Sequence, residues 1–522
     1  MHVPLTPVRA LYRAVDLFGG KVGVVSGERR FPYSEFGERC ERLAFGLLSE
    51  NVAPGDRVAF LSFNTHQLLE GYFGVPMIRT IVMPLNVRLT PTELAGILHH
   101  AEPKIVIYES DFAPLVEALR AACPGVCRWI EAGDPYEELL SRGRLPRPDY
   151  FTFDESEIAE LFYTSGSTGT PKGVALAHRT LYLHMLGVSA TFFNDEATVE
   201  LHTIPLFHAN GWGRPQCATF HGLKQVMVRR FEPAAVLRLI QEERATSMSL
   251  VPTMANALLH CPELGRFDTS SLRQIHLGGA ASSPELIGRL ERAFGCPALA
   301  GYGLTETSPV ATSARDKSTV TFADDEDRLR HRACTGWALP GCELRVVDLQ
   351  MRDVPRDRTT IGEIVIRGDL VMDGYYKEPK ATEDVMTDGW LHTGDMAVWD
   401  EDSYVLIVDR KKDIIISGGE NISSIEVERA IAAHPAVFEC AVVSAPDPQW
   451  GEVPAAFVVV KPGEHLDEAA LCEFLKDRIA KFKLPRRLQL TDQPLPKTGT
   501  GKILKRDLRE GLWSGKDSRV QG

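Results

Sequence analysis

The chain has 522 residues, 44% of them hydrophobic and 25% charged, and a formal net charge of −12 at pH 7. That length exceeds one ordinary core and predicts two or more domains. The acidic balance excludes broad binding to nucleic acid or to an anionic membrane, since those surfaces require basic patches; an anion site on this chain must be locally positive.

The first two-thirds alternate short apolar runs with amphipathic stretches, the pattern of an α/β protein with covered, largely parallel sheets. Arg57–Ser62, Lys104–Tyr108, Lys224–Val228, Ser247–Val251 and Gln274–Leu277 read as strands. No membrane span is expected, because Pro76, Arg79 and Pro84 interrupt the best apolar candidate. A helix is expected from Leu89 to His100, with Thr90 as its cap, Pro91 in its first position and Glu93 completing a capping box. The ten cysteines form no paired framework, and Cys123 and Cys127 lack a second pair at zinc spacing. They read as reduced thiols of a cytoplasmic protein, and neither Met1-His2-Val3-Pro4 nor Arg519-Val520-Gln521-Gly522 reads as a targeting signal.

Glu160–Tyr163 reads as a strand, and at its end stands Tyr163-Thr164-Ser165-Gly166-Ser167-Thr168-Gly169-Thr170-Pro171-Lys172-Gly173. Glycines at 166, 169 and 173 allow backbone to approach an anion, the hydroxyls of Ser165, Ser167, Thr168 and Thr170 can donate to phosphate oxygens, and Lys172 supplies charge. A nucleotide polyphosphate is the ligand this predicts. It is not a Walker loop, because proline precedes Lys172 and glycine follows it.

Further along come Pro205-Leu206-Phe207-His208-Ala209-Asn210-Gly211-Trp212 and Leu277-Gly278-Gly279-Ala280-Ala281, either of which reads equally as ordinary packing. Ala300-Gly301-Tyr302-Gly303-Leu304-Thr305-Glu306-Thr307 follows. Its flanking glycines would let an aromatic ring stack on a purine, and threonine beside glutamate could bond an α-phosphate and hold Mg²⁺; a glycine turn with a helix cap is the alternative. From about Gly336 the pattern changes to alternating strands, as in Gly362–Gly368 and Tyr404–Val408, which predicts a smaller antiparallel unit. Within it, Trp390-Leu391-His392-Thr393-Gly394-Asp395 offers a carboxylate that could accept two ribose hydroxyls or simply form a turn. The cluster Asp409-Arg410-Lys411-Lys412-Asp413 is either a solvated turn or a domain boundary. It leads through Ser417-Gly418-Gly419-Glu420 into a last segment with its own helix and strand signals, over 425–431, 441–443, 456–460 and 467–475. Pro496-Lys497-Thr498-Gly499-Thr500-Gly501-Lys502 closes the series; on composition alone its lysines would be surface residues.

Taken together and in this order, from roughly Leu47 to Arg506, these motifs resemble the adenylate-forming superfamily of acyl-CoA synthetases, amino-acid-adenylating domains and luciferases, and most of all its fatty-acid–CoA ligases. The resemblance implies a large N-terminal domain, 1–411, of stacked α/β subdomains with a small β-barrel-like unit, followed by a small mobile α+β C-terminal domain, 412–522, hinged at Lys412. It assigns Thr164, Ser165, Gly166, Ser167, Thr168, Gly169 and Lys172 to the ATP phosphates, and Gly301, Tyr302 and Gly303 to adenine. Thr305 would contact the α-phosphate, Glu306 would bind Mg²⁺, Asp395 with Arg410 would hold the ribose, and Gly418–Gly419 would line the passage for the pantetheine of coenzyme A. Lys502 would bridge the substrate carboxylate and the α-phosphate, His208 would border that carboxylate, Trp212 would gate the acyl tunnel, and Gly278, Gly279 and Ala280 would form its wall. Met77-Ile78-Arg79-Thr80 departs from the Lys-Ala-Gly-Ala of many relatives, which concerns packing of the first subdomain and not the chemistry.

The activity so implied is ATP-dependent activation of a medium- or long-chain fatty or related hydrophobic acid, then transfer to CoA. No acidic residue lies between Phe207 and Gln216 to hold a substrate ammonium, so an uncharged acyl tail is expected. Short-chain, thioether, branched or aryl acids, transfer to a carrier protein, and a nucleotide sensor without catalysis are the alternatives. The partners expected are a small carboxylic acid, ATP and CoA, with no nucleic acid and no integral membrane association; a homodimer is an admissible assembly.

Overall fold

The computed structural model describes residues 2–165, 171–192, 194–418, 420–461, 463–476, 478–497 and 503–513. Of the expected site, Gly166, Ser167, Thr168, Gly169, Gly419 and Lys502 lie outside these residues, and Ser165 is described in its backbone only. The chain forms two compact units: Met1–Arg345 with Val365–His392 and Glu401–Val405, and Val346–Ile364 with Thr393–Asp400 and Leu406–Gly522.

The first unit contains a seven-stranded sheet in the order Gly374–Tyr375, Pro171–Ala177, Ile158–Ser165, Ile81–Pro84, Arg57–Leu61, Ile105–Tyr108, Arg128–Glu131. Its inner strands are parallel. Successive residues of these strands bury into two different cores: Val58, Phe60, Ile105 and Ile107 on one side, Ala59, Leu61, Val106 and Tyr108 on the other. Double-sided burial is why the strands read as unbroken apolar runs. The helix Pro91–Ala101 begins as expected: Glu93 N donates to Thr90 Oγ1 (3.3 Å) and Thr90 N to Glu93 Oε2 (2.8 Å).

A nine-stranded sheet completes this unit, in the order Trp337–Ala338, Val310–Ser313, Ala298–Gly303, Gln274–Leu277, Ser247–Leu250, Val199–His202, Lys224–Met227, Val22–Ser26, Arg29–Pro32. Its centre is parallel and its edges antiparallel. Here the sequence alternates strictly, and Leu201, Met248, Leu250, Ile275 and Leu277 enter an apolar core. Alternation ordinarily marks a solvated face. In this sheet the opposite residues, Glu200, His202, Gln225, Ser247, Ser249 and His276, are buried as well.

A five-stranded sheet follows in the order Cys342–Val347, Gly362–Gly368, Trp390–Trp399, Met386–Thr387, with Val405–Arg410 paired to Trp390–Trp399. The strands Val437–Asp447 and Gly451–Val460 form the long hairpin of the second unit, extended by Ile415–Ser417 and Glu420–Ile422 on one side and, in parallel, by Arg487–Thr491. Helices Ser424–Ala432 and Glu468–Lys476 pack their apolar faces on it through Val427, Ile431, Leu471 and Leu475. Among the described residues no helix is long and apolar enough to cross a membrane.

Candidate active site

The phosphate motif is a β-hairpin. Ile158–Ser165 and Pro171–Ala177 pair antiparallel, with Tyr163 opposite Gly173, Thr164 opposite Lys172 and Ser165 opposite Pro171. Gly173 owes its identity to packing as much as to any anion, because a Cβ there would lie 3.1 Å from Tyr163 Cζ and 3.1 Å from Leu161 Cδ1. The Tyr163 hydroxyl pairs with His100 Nδ1 at 2.6 Å, which fixes the ring at the stem of the hairpin.

One residue that sequence reasoning missed joins this hairpin to the second nucleotide motif. Gly374–Tyr375 adds to the free edge of Pro171–Ala177, and Tyr376 N donates to Gly173 O (2.7 Å). The Lys172 ammonium then sits 4.8 Å from the centroid of the Tyr375 ring, within cation–π reach, while the Tyr375 hydroxyl donates to Glu306 Oε1 (2.8 Å). Burial and the neighbouring Glu306 carboxylate push the Tyr375 hydroxyl up, so it remains a donor at neutral pH. Met372 N also donates to Glu306 O (2.9 Å). Lys172 and Glu306, 134 positions apart in sequence (306 minus 172), are thus brought to one side chain. The available signal was the Gly374-Tyr375-Tyr376 run.

Tyr302 lies half-buried in Ala298–Gly303, opposite Thr312, and Thr305 is buried in the short turn that follows. The flanking glycines have a different physical reason from the one expected. A Cβ on Gly303 would fall 1.7 Å from Pro309 O, and one on Gly301 would fall 2.9 Å from Thr312 O, so both glycines serve the close approach of Val310–Ser313. Gly303→Ala is therefore expected to displace backbone and to cost about 3 kcal/mol or more in a urea titration; an unchanged midpoint would show that the strand can yield.

The acyl motif is held from below, where Asn64 Oδ1 accepts from Leu206 N (2.8 Å) and the Tyr72 hydroxyl donates to Leu206 O (2.6 Å). His208 is exposed at the start of a turn. Ala209, Asn210, Gly211, Trp212 and Gly213 then all take positive φ, between 45° and 69°, a full turn of left-handed helix. Such backbone costs about 1–2 kcal/mol per non-glycine residue. Gly213 is required there twice over, since a Cβ would also lie 2.4 Å from His184 Cε1. The turn lays Trp212 against the expected pocket wall: a Cβ on Gly278 would meet Trp212 Cη2 at 3.0 Å and one on Gly279 would meet Val251 Cγ1 at 3.2 Å. Ala280 is exposed. Directly after the turn, Arg214 forms a fully buried ion pair with Glu200 (2.6 Å), two further residues not singled out from sequence.

The second unit carries the other expected groups. Gly394, at φ +70°, makes a turn held by Gly394 N to Glu363 Oε1 (3.1 Å) and Lys411 N to Gly394 O (2.8 Å). It presents buried Asp395, which pairs with Arg410 Nε at 2.6 Å. Asp409 turns the other way and accepts from Ser424 N and Oγ at the start of helix Ser424–Ala432. Lys412 is exposed, and its carbonyl accepts from Arg509 (3.3 Å). Gly418, at φ +59°, lies beneath Trp450: its N–H donates to Trp450 O (2.8 Å) and a Cβ would fall 2.6 Å from the ring. Among the described residues no group of three or more His, Cys, Asp or Glu is arranged to hold a metal ion by itself.

Two α/β sheets, a lysine-bearing hairpin joined to a Thr-Glu turn, and an Asp–Arg pair on a separate unit are the arrangement expected of a nucleotide-activating ligase of the adenylate-forming class. Residues 11–376 match the family model described as AMP-binding enzyme, and residues 426–502 that of the AMP-binding enzyme C-terminal domain. The chain belongs to this family, within its acyl-CoA synthetases. It is 40% identical over 515 residues to the long-chain-fatty-acid–CoA ligase of Thermus thermophilus, covering 96% of this chain and 94% of that one. To the peroxisomal butyrate–CoA ligase AAE11 of Arabidopsis thaliana it is 36% identical over 540 residues, covering 98% and 93%. The crystal structure of the anthranilate CoA ligase AuaEII with anthranoyl-AMP superposes with a TM-score of 0.87 at 25% identity, covering 98% of each chain.

Proposed function

We propose that the protein activates a medium- or long-chain fatty acid, or a related hydrophobic acid, and passes it to coenzyme A. The observation that carries this reading is the convergence of Lys172 and Glu306 on Tyr375, in the same unit as Trp212, whose segment from His208 to Pro215 has no carboxylate for a substrate ammonium. Of the acidic residues beside the acyl motif, Glu200 is paired with Arg214 and Glu160 accepts from Gln216 Nε2 (2.6 Å).

In the first half-reaction a carboxylate oxygen bonds to the α-phosphorus of ATP and the bond to the β-phosphate oxygen breaks, giving acyl-AMP and pyrophosphate. Two anions meet and charge grows on the leaving group, so positioning and electrostatic stabilisation dominate. Lys172 would steady the β and γ phosphates, with Thr164, Ser165 and the rest of the hairpin loop donating to their oxygens. Thr305 would contact the α-phosphate, Tyr302 would cover adenine, and Asp395, oriented by Arg410, would accept the ribose hydroxyls. Mg²⁺ is ordinarily held by one or two carboxylates plus substrate phosphates, so the single Glu306 carboxylate, steadied by Tyr375, suits it; the ion would neutralise phosphate charge. In the second half-reaction the CoA sulfur bonds to the acyl carbon and AMP leaves. Gly418 and Gly419 would line the thiol's path, with residues 412–522 turning about Lys412 as a separate domain from 1–411. All ten cysteines are free thiols, which supports a cytoplasmic placement.

The test is AMP release from ATP, Mg²⁺ and CoA across acids of graded chain length and aryl acids, with pyrophosphate exchange to isolate the first step. Trp212→Ala is expected to move chain-length preference by several-fold while leaving the ATP KM unchanged. A shifted ATP KM with the same preference would remove Trp212 from the acyl pocket, and no AMP with any acid would overturn the ligase reading.

A further inference from the structure

His276 is buried in the nine-stranded sheet, and neither of its ring nitrogens has a hydrogen-bond partner among the described residues. Leaving a buried donor and acceptor unsatisfied is costly, and folded proteins rarely tolerate it without a use. The placement supplies one. Strand alternation sets His276 on the same face as Gly278, two residues on, and Gly278 is where the Trp212 ring rests. His276 therefore lies one step deeper along the sheet than Trp212.

Its neighbours are Phe192 and Arg214. The His276 ring meets the edge of Phe192, with centroids 4.3 Å apart, and the Arg214 guanidinium lies 5.9 Å from the same Phe192 ring. Arg214 Nη2 is engaged by Glu200 (2.6 Å) and by Asn194 (3.2 Å), whereas Arg214 Nε is buried without a partner among the described residues. The floor so formed is apolar on the Phe192 side and polar on the other. It carries no net charge, since Glu200 balances Arg214. Burial, assisted by the Arg214 charge, pushes the imidazole down to about 3, so His276 is neutral and offers one N–H and one acceptor nitrogen.

We infer that His276 is a specificity-determining residue at the far end of the acyl pocket, selecting acids whose distal end bears an uncharged oxygen function, a hydroxyl or a ketone, over plain alkyl acids. The inference rests on the acyl-CoA synthetase reading and narrows its substrate class. An anionic distal group is not favoured, because Arg214 is already neutralised and a second buried carboxylate would be unpaired. A plain alkyl terminus would leave the imidazole as unsatisfied as it is without substrate.

The experiment compares, on the full-length enzyme with ATP, Mg²⁺ and CoA, alkanoic acids against terminal-hydroxy and terminal-keto acids of matched length over a graded series. At the length that reaches His276, kcat/KM is expected to favour the oxygenated acid by about tenfold or more, the discrimination of a single satisfied hydrogen bond. His276→Leu is expected to erase that ratio with the ATP KM unchanged, and His276→Gln, which keeps a donor and an acceptor, to restore most of it. A wild-type preference for alkyl acids at every length, or a ratio untouched by His276→Leu, overturns the inference while leaving the ligase reading intact. Absence of AMP from both series overturns the ligase reading and this inference with it. The wild-type comparison needs no variant, so a misfolded substitution does not shelter the proposal.

Discussion

Lys502→Ala is expected to abolish acyl-adenylate formation, by 10²–10³ or more in rate, and to leave thioester synthesis from supplied acyl-adenylate within a few-fold of wild type. The magnitude follows from the chemistry. Removing one preorganised donor from a transition state that gathers negative charge typically costs about 3 kcal/mol, and Lys502 would serve both the attacking carboxylate and the α-phosphate. The split between half-reactions follows from the resemblance, in which the C-terminal domain turns after the first step so that Lys502 leaves and the Gly418–Gly419 turn takes its place. Pyrophosphate exchange reads the first step, and CoA consumption from synthetic acyl-adenylate reads the second. Equal loss of both would count against one site alternating between two domain orientations. Lys502 itself lies outside the described residues, but the base of its segment does not: Lys497 bridges Ile503, and Leu504 N donates to Pro496 O (2.8 Å).

Lys505→Ala is expected to destabilise the second unit by about 3 kcal/mol. Lys505 Nζ binds Glu428 Oε1 (2.7 Å) and Ser424 Oγ (2.7 Å), and its charge also reaches the buried Asp409. Without the cation two largely buried carboxylates remain, and removing one partner of a buried pair costs far more than the pair is worth. Burial already raises the carboxyls of Glu428 and Asp409 above their ordinary values, with Lys505 the main opposing influence. Deleting it raises them further. A carboxyl held above its unfolded value loses stability as pH climbs, so the variant's deficit is expected to grow upward from about pH 4. Urea titrations at several pH values read this directly. A pH-independent deficit would assign the loss to packing of the lysine stem, and replacing both Lys505 and Glu428 by methionine should recover part of it.

Much of this site was legible from sequence because its parts are local. The order glycine, hydroxyl, proline, lysine in 163–173 states its anion chemistry within one loop, and the Thr90–Glu93 capping box was readable because its hydrogen bonds span three residues. Trp212 and Gly278–Gly279, which the resemblance pairs as gate and wall, lie against one another. Other parts were readable only in chemistry and not in cause. Gly301 and Gly303 suggested room for a purine, yet the atoms pressing on them are the backbone oxygens of Thr312 and Pro309. Tyr375 gave no signal beyond an aromatic after glycine, because its role depends on the register that adds Gly374–Tyr375 to Pro171–Ala177. The alternation in Val199–His202, Ser247–Leu250 and Gln274–Leu277 would ordinarily mean a wet face, and only the burial of Glu200, His202, Ser249 and His276 identifies it as a second interior.

The sequence by itself therefore determined the class of protein: a hydroxyl- and lysine-bearing loop that is not a Walker loop, a threonine beside a glutamate, and a chain of ordered motifs that place the protein among adenylate-forming enzymes. These are properties of residue type and short spacing, which covalent connectivity sets. The tertiary structure alone decided which side chains meet. Strand register brings Lys172 and Glu306 to Tyr375, a left-handed turn lays Trp212 on Gly278, and two-sided burial of the large sheet encloses an unsatisfied histidine behind them. Such contacts join residues tens to hundreds of positions apart, and no local preference of the chain specifies them.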